Sequence, residues 1–594
     1  MGIPAFFRQI IENYKTTHKS ELKTNVDYFF IDFNSIIYDT YNTLDMKKDY
    51  GTLIKFENFL ISEIINKIKY IIVDLIQPSK LLYIALDGTA PRAKMIQQRR
   101  RRYNGVKFMK FKNTLKEKYG IEKNLIDWEA SANISPGTKF MKKLSKALKI
   151  KIPEFKNMNK DLKIIISDGN VPGEGEHKFL HYLRQDLKGK NDTVVIYSPD
   201  ADVIVLSMAT HKNNIYILRK VKETNDATNV EKQYILCGKK YLFLSIDEYR
   251  SAFIEKLELD ESMYDNIRLI TDYVFLTFFG GNDFVTPIPY LKVKEERKDK
   301  NSGLGILLNI YKKLLPNYDY LINIKNNSYI VNHLFLKEIF EEIVKSEDYY
   351  MRGIQIKINN TMQGKDDERK LKQEEDKSPY EKELMRYEHY EYYNQLHPEY
   401  SKYKDIFKKF NFFQPKQMWK PIYYNHFFYL DSKNIIEYNK LRNEICKNYL
   451  ESIMFTMKYY FEGVPSWSWY YRFRAPPLAS DILDTLNKDI LNINDIKFIK
   501  DVPYKPFDQL MMILPINSNN LLPKCYQNLM NTSLIDYYPI DFELDVFLGQ
   551  KYIYSEPILP DIDDNRVMKE TISIENKLTK EEIERNINIE EEIL

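Results

Sequence analysis

Five short apolar runs rich in β-branched and aromatic residues, YFFIDF, KLLYIALD, LKIIISD, TVVIYS and NIYILRK, recur between Met1 and about Pro289, alternating with helix-length amphipathic stretches. Runs that lack polar alternation are buried on both faces, so this rhythm predicts an α/β fold with a parallel sheet covered by helices. Open sheets of that kind place their ligands outside the carboxyl ends of the strands, where the strand order reverses.

That edge is where acidic residues gather. Asp32 and Asp87 end two of the runs, Asp200 and Asp202 follow TVVIYS in the loop SPDADV, Glu174 and Glu176 flank a glycine in VPGEGEHK, and Asp283 sits in GGNDFV. One Asp after a strand is ordinarily a helix N-cap or a turn residue, and Asp168, before Gly169, is read that way. Seven together differ, because desolvating several carboxylates at once is costly unless a cation compensates. Oxygen ligands suit Mg²⁺ or Mn²⁺, and two such ions about 4 Å apart activate water and stabilise the leaving oxygen in phosphodiester hydrolysis. Glu174 and Glu176 are expected to open a helix, whose positive N-terminus favours carboxylates.

The remaining composition sets bounds. A chain of 594 residues exceeds the roughly 250–300 that a single core serves, so two or more lobes are expected. A hydrophobic fraction of 44% with 29% charged residues, and no apolar run near the ~20 residues of a membrane helix, predicts a soluble protein without a membrane partner. Net charge of +4 is too small to argue for a polyanion, so the distribution of charge matters more than its sum. Cys237, Cys446 and Cys525 lie far apart, which excludes a disulfide framework and a cysteine zinc module and fits a reducing compartment. The start MGIPAF has no signal-peptide core, and the cytoplasm is expected, with the nucleus as the alternative.

Two further clusters carry chemistry. After Asp87, APRAKMIQQRRRRY holds six cationic residues and no acid. On a helix, Lys94, Gln98, Arg101 and Arg102 fall within an arc of about 100°, a guanidinium fork and amide donors that suit one terminal phosphate. Alone, the RRRR run reads equally well as a nuclear-localisation-like cluster or a solvated face. The second cluster is GVPSWSWYYRFRAPPLASD, where Trp467, Trp469, Tyr470, Tyr471 and Phe473 accompany Arg472 and Arg474. Base stacking on such rings suits a single strand, while burial in a core is the commoner fate of aromatics.

At these residues the chain resembles the XRN family of 5′-to-3′ exoribonucleases. MGIPAFFR, DGTAPRAKMIQQRRRR, ISPGTKFM, VPGEGEHK, PDADVIVL, GGNDFVTPIP, ILLNIYKKLLP and SWSWYY with ASD occur in the family's order. The resemblance implies a PIN/5′-nuclease-like parallel-sheet nuclease domain with helices on both faces, plus a second aromatic-rich, mainly helical lobe. It implies a processive, Mg²⁺-dependent enzyme acting on single-stranded RNA with a 5′ monophosphate; a monomer is expected. Metal ligation carries over onto Asp32, Asp87, Glu174, Glu176, Asp200, Asp202 and Asp283, and the 5′-phosphate pocket onto Lys94, Gln98, Arg101 and Arg102. The first bases are expected to stack between Tyr38 and Trp467 or Trp469.

Three departures stand out. Tyr38 replaces the family's stacking His, Arg472 and Arg474 replace a proline and a histidine, and the long C-terminal domains of cytoplasmic members are not expected. The added arginines suit either new phosphate contacts or a reshaped pocket. A flap-type DNA nuclease is the alternative enzyme, disfavoured by FVTPIPYLKVKEERK after Asp283 in place of a glycine-rich duplex-binding turn. A catalytically silent RNA-end scaffold would lack ligands. The expected organisation is a nuclease domain over 1–340, a charged variable linker over 341–399, a second conserved region over 400–540, and an extension over 541–594 whose acidic end, TKEEIERNINIEEEIL, is a surface helix or tail.

Overall fold

The computed structural model describes residues 6–46, 48–122, 126, 128–157, 159–185, 191–223, 227–260, 262–291, 303–326, 328–362, 377–386, 410–487, 491–545 and 555–593. All five apolar runs are strands: β2 (Tyr28–Asp32), β3 (Leu81–Ala85), β4 (Lys163–Ser167), β5 (Val194–Tyr197) and β6 (Ile215–Lys220). They pair in parallel in the spatial order β6-β5-β2-β3-β4. The chain runs from β2 through β3 to β4 on one side and then crosses to β5 on the other. The crevice beside β2 is therefore the switch point.

The sheet extends beyond the expected parallel set. β1 (His18–Lys19), β7 (Tyr241–Ser245) and β8 (Glu592–Ile593) complete eight strands in the order β1-β7-β6-β5-β2-β3-β4-β8. All three added strands pair antiparallel with their neighbours. β8 corrects the expectation for the acidic end of the sequence. Residues Lys580–Arg585 do form a short capped helix, but Glu592 and Ile593 pair with Ile166 and Ile165 of β4. The Tyr83 hydroxyl donates to Glu591, and Lys149 pairs with Glu592 at 2.7 Å. An open edge on β4 would expose unpaired backbone groups, and this segment satisfies them.

Side chains on a strand alternate between faces. Phe30, Tyr83, Ile165 and Ile196 enter one core, and Phe29, Ile31, Ile84, Ile166 and Val195 enter the other. The first core is continuous with Trp419, Tyr423, Tyr449, Phe455 and Tyr459, so the aromatic-rich helical region lies against that face of the sheet. Its longest element is the 27-residue helix Ile435–Phe461. A third cluster joins Met95 to Phe507, Leu510, Met511, Tyr526 and Tyr538.

The expected start of a linker at 341 falls inside the helix His333–Lys345, which is followed by Glu347–Met362. Most of the charged stretch Thr361–Lys382, and all of 387–399, lies outside the described residues. Glu347 is fully buried, pairs with Lys416, and accepts from the Tyr290 hydroxyl (3.1 Å) and the Ala479 N–H (2.8 Å). Packing with residues 416 and 479 thus continues past position 340. Glu347→Ala leaves a buried N–H and an ammonium without their acceptor, and is expected to destabilise the protein by on the order of 3 kcal/mol. Urea unfolding followed by tryptophan fluorescence checks this.

Candidate active site

Asp32 closes β2 and directly precedes the helix α1 (Phe33–Tyr41), which aims its carboxylate into the switch-point crevice. Its Oδ2 accepts from the Ser198 hydroxyl at 2.9 Å, and the Ser198 oxygen accepts the Asp200 N–H at 3.1 Å. One serine after β5 thereby ties the loops of two adjacent strands together. Asp202 is the first residue of the helix Asp202–Ala209, at its positive end.

Asp87 lies two residues beyond β3. Its Oδ2 accepts from the Asn34 amide and its Oδ1 from the Gly175 N–H, both at 2.8 Å. A Cβ at position 175 would stand 3.0 Å from the Ala85 carbonyl and 3.4 Å from Asp87 Oδ1, so glycine permits this approach. Gly175 opens the helix Gly175–Gln185, with Glu174 before it and Glu176 in its first turn. Asp168 accepts the Asn170 N–H (2.8 Å) and the Ser145 hydroxyl (3.0 Å) and pairs with Lys149, the turn role expected of it.

The seven carboxylates predicted from the sequence thus gather around one crevice, and burial governs their ionisation. Burial, with Asp200 and Asp87 nearby, pushes Asp32 well above the usual carboxylate range. Burial and Glu174 do the same to Glu176, and burial and Asp283 push Asp202 up to about 7. Burial alone would also raise Asp283, but the Lys94 ammonium beside it holds it below the usual range. Lys94 bridges Asp283 and Glu174, and the Gln97 amide donates to Asp283 at 2.5 Å. Hard oxygen donors held ionised only at a cost fit a divalent cation.

Lys94 therefore faces the acids rather than a separate anion pocket, which refines its expected place. It starts the inner face of α2 (Arg92–Lys118), whose later turns carry Gln98, Arg101 and Arg102. Arg102 is buried, donates to Ser135 Oγ at 2.7 Å and to the Gln98 carbonyl at 3.1 Å, and has no carboxylate within ion-pair distance among the described residues. Its Nε is buried without a partner, and burial pulls the guanidinium down to about 10. Arg101 is exposed. Tyr38 lies beside both: burial raises its phenol, while Arg102 and Arg101 oppose the rise.

The opposite face of α2 resolves the ambiguity of the RRRR run. Arg99 donates to the carbonyls of Pro560 and Tyr537, Arg92 to that of Ile562, and Arg100 pairs with Glu556. With Arg99 and Arg102 both buried, the run is no solvated cluster.

The aromatic segment also divides. Trp469 stacks on Phe455 at 4.7 Å, meets Phe498 edge-on, and donates its indole N–H to Glu451 at 3.2 Å. These contacts commit one face and the indole N–H of Trp469 to protein, while Trp467, equally half-buried, packs against the cluster around Met95 and Phe507. The Trp467 N–H is held by Asp501, and its carbonyl accepts the Arg92 N–H at 2.7 Å. Arg474 donates to Asp545 (3.0 Å) and to the His426 carbonyl (2.8 Å), a structural role in place of a phosphate contact. Arg472 is exposed.

Several residues at the site escaped the sequence reading. Asn34 and Ser198 orient carboxylates, and Tyr459 donates to Glu174 at 3.0 Å from the far end of the 27-residue helix. His177, whose ring centroid is 3.7 Å from that of Tyr459, offers a nitrogen within 4.8 Å of ligand atoms of Glu174 and Glu176. Buried Lys178 donates to the carbonyls of Leu86 (2.6 Å) and Asp168 (3.0 Å), bracing the loops after β3 and β4. Only the adjacency of Glu176, His177 and Lys178 in one helical turn could have signalled the last two.

A carboxylate nest at the switch point of such a sheet fits the divalent-metal site that metal-dependent nucleases use. The family profile described as XRN 5'-3' exonuclease N-terminus matches residues 1–221, and that described as Xrn1 helical domain matches 263–594, so the chain belongs to the XRN family. It is 28% identical to the 5'-3' exoribonuclease 2 of Arabidopsis thaliana, across 99% of this chain and 68% of that protein. It is 28% identical to the 5'-3' exoribonuclease 2 of Debaryomyces hansenii, across 86% of this chain and 62% of that protein. With the human 5'-3' exoribonuclease 1 the identity is 29%, across 99% of this chain and 35% of the relative. The chain thus spans between about a third and about two thirds of these relatives.

Asn34→Ala removes the donor that orients Asp87, and is expected to weaken divalent-metal binding about 10- to 100-fold. Calorimetric titration with Mn²⁺ measures it, and unchanged affinity contradicts the role.

Proposed function

We propose that the chain is a processive 5′-to-3′ exoribonuclease that shortens single-stranded RNA bearing a 5′ monophosphate, releasing mononucleotides, and that it acts as a monomer. The observation that carries this reading is the placement of two functions on one helix. Lys94 and Gln97 at the start of α2 engage the acidic nest, while Gln98, Arg101 and Arg102 follow on the next turns of the same helix, donors that suit a terminal phosphate. The relatives named 5'-3' exoribonuclease support the direction and the RNA substrate of this reading.

In this reading Asp32, Asp87, Glu174, Glu176, Asp200, Asp202 and Asp283 hold two Mg²⁺ or Mn²⁺ ions. When bound, these supply Lewis acidity for activating water and stabilising the leaving oxygen. Asn34, Ser198 and Gly175 keep Asp32 and Asp87 aimed into the crevice. Gln98, Arg101 and Arg102 grip the terminal phosphate, with Lys94 linking socket and nest. Tyr38 and either Trp467 or Trp469 stack the first bases, which is sequence-tolerant because every base has a π face. A closed socket refuses a triphosphate or a cap, and holding the 5′ end there makes the first internal phosphodiester the one that meets the nest. Directionality then comes from the socket. We assign 1–340 to the nuclease domain, 341–399 to a variable segment crossed by packed helices as far as Met362, 400–540 to the region completing the wall, and 541–594 to an extension.

Rates on one 3′-labelled RNA ending in a 5′ monophosphate, triphosphate or hydroxyl test this. Only the monophosphate RNA is expected to disappear rapidly, with Mg²⁺ and not with EDTA. The Asp200→Asn/Asp202→Asn double variant is expected to lose at least ~10³-fold in rate. Equal cleavage of all three ends would point to an endonuclease or flap enzyme, and tight end binding without cleavage to a scaffold.

A further inference from the structure

We propose that Arg585 and Asn586, close to the end of the sequence and far from the acidic nest along the chain, are positioning residues for 5′-end recognition. The inference rests on the phosphate-socket reading above. Both residues are buried, at 1% and 2% exposure. Arg585 donates from Nη1 to the Gly137 carbonyl at 2.8 Å, and its guanidinium lies 5.1 Å from the centre of the Phe507 ring. Asn586 Oδ1 accepts the Phe507 N–H at 2.8 Å. One dipeptide thereby grips two separate pieces of chain, the loop Ser135–Gly137 and the first turn of the helix Pro506–Ile513.

Each piece is a single contact away from the socket. The loop carries Ser135, whose hydroxyl receives Arg102 at 2.7 Å. The helix carries Gln509, which donates to Gln98 Oε1 at 3.3 Å and accepts the Ala90 N–H at 2.7 Å, just before α2 begins. Loop and helix also touch directly. Gly137 has a φ of +85°, and a Cβ there would stand 2.9 Å from Pro506 Cβ. The backbone spacing of Gln98 and Arg102 is set by α2 itself, but the directions of their side chains are held by Gln509 and Ser135, whose relative placement depends on what clamps loop to helix.

Anchoring the end of the chain does not require this clamp. Asn170 donates to the Ile587 carbonyl at 2.6 Å, Tyr83 binds Glu591, Lys149 pairs with Glu592, and β8 lies on β4. A buried guanidinium is costly, and among the described residues that of Arg585 donates to Gly137 alone, its Nε having no partner. Its one hydrogen bond is spent on the loop behind the socket.

The test compares Arg585→Met and Asn586→Ala with Arg585→Lys, which keeps a donor, and Asn586→Asp, which keeps the acceptor. Steady-state kinetics are measured on RNA with a 5′ monophosphate and with a 5′ hydroxyl. For Arg585→Met and Asn586→Ala, KM for the monophosphate RNA is expected to rise about tenfold with kcat within about twofold. Preference over the hydroxyl RNA falls by the same factor, the Mg²⁺ midpoint stays put, and both conservative variants restore KM. Asn586→Ala deletes a single hydrogen bond and carries the test should Arg585→Met not fold. Unchanged KM, or equal losses on both RNAs that track lowered thermal stability, overturns the clamp. Lack of end preference in the unaltered protein overturns the socket reading itself, and the wild-type rates reveal it separately.

Discussion

The Lys94 ammonium, shared between Glu174 and Asp283, is the contact on which the architecture of this molecule turns. Burying carboxylates together is unfavourable, and the raised pKa values of Asp32, Glu176 and Asp202 record how far burial and mutual repulsion oppose their ionisation. Lys94 supplies a fixed positive charge from α2, so the position of that helix is coupled to the electrostatics of the nest. Its outer face is bolted down accordingly. Arg92 and Arg99 spend their guanidinium groups on backbone carbonyls at 537, 560 and 562, and Arg100 pairs with Glu556.

The helical region completes the site from the other side. Tyr459 donates to Glu174, and the rings of Phe284, Tyr459, Phe455 and Trp469 form a packed row leading from the acids to the SWSWYY segment. The Arg92 N–H meets the Trp467 carbonyl where α2 begins. Residues almost three hundred positions from the acidic motifs therefore determine how a carboxylate is oriented and where an indole is held. Membership of a family defined by both an exonuclease N-terminus and a helical domain agrees with that division of labour.

Much of this was legible beforehand, for reasons that differ by element. The five parallel strands are buried on both faces, so each is a continuous apolar run. Asp32, Asp87, Asp200 and Asp202 stand at or just after three of those runs, which made their convergence readable, whereas Glu174, Glu176 and Asp283 stand apart from them. β7 pairs antiparallel at the side of the parallel set, and β1 and β8 are two residues each, too short for any period to register. The acidic composition of the last residues suggested solvent, because composition does not register that β4 lacks a partner. Trp467 and Trp469 are indistinguishable as letters, and only packing on Phe455 and Phe498 separates them. Arg474 likewise suited either a phosphate contact or a reshaped pocket as a letter, and its pairing with Asp545 favours the second.

By itself the sequence determined the α/β rhythm, the identity of the clustered acids and the helical arc of Lys94, Gln98, Arg101 and Arg102. Those depend on local periodicity and on residue chemistry, which the order of amino acids contains outright. The tertiary structure alone decided which of six neighbouring cations face the acids, which face the proposed socket and which hold the far segment. It also decided that Asn34, Ser198 and Tyr459 orient carboxylates, and that Arg585 lies behind Gly137. Those are contacts between residues distant in the chain, and their partners exist only once the sheet, α2 and the helical region have packed.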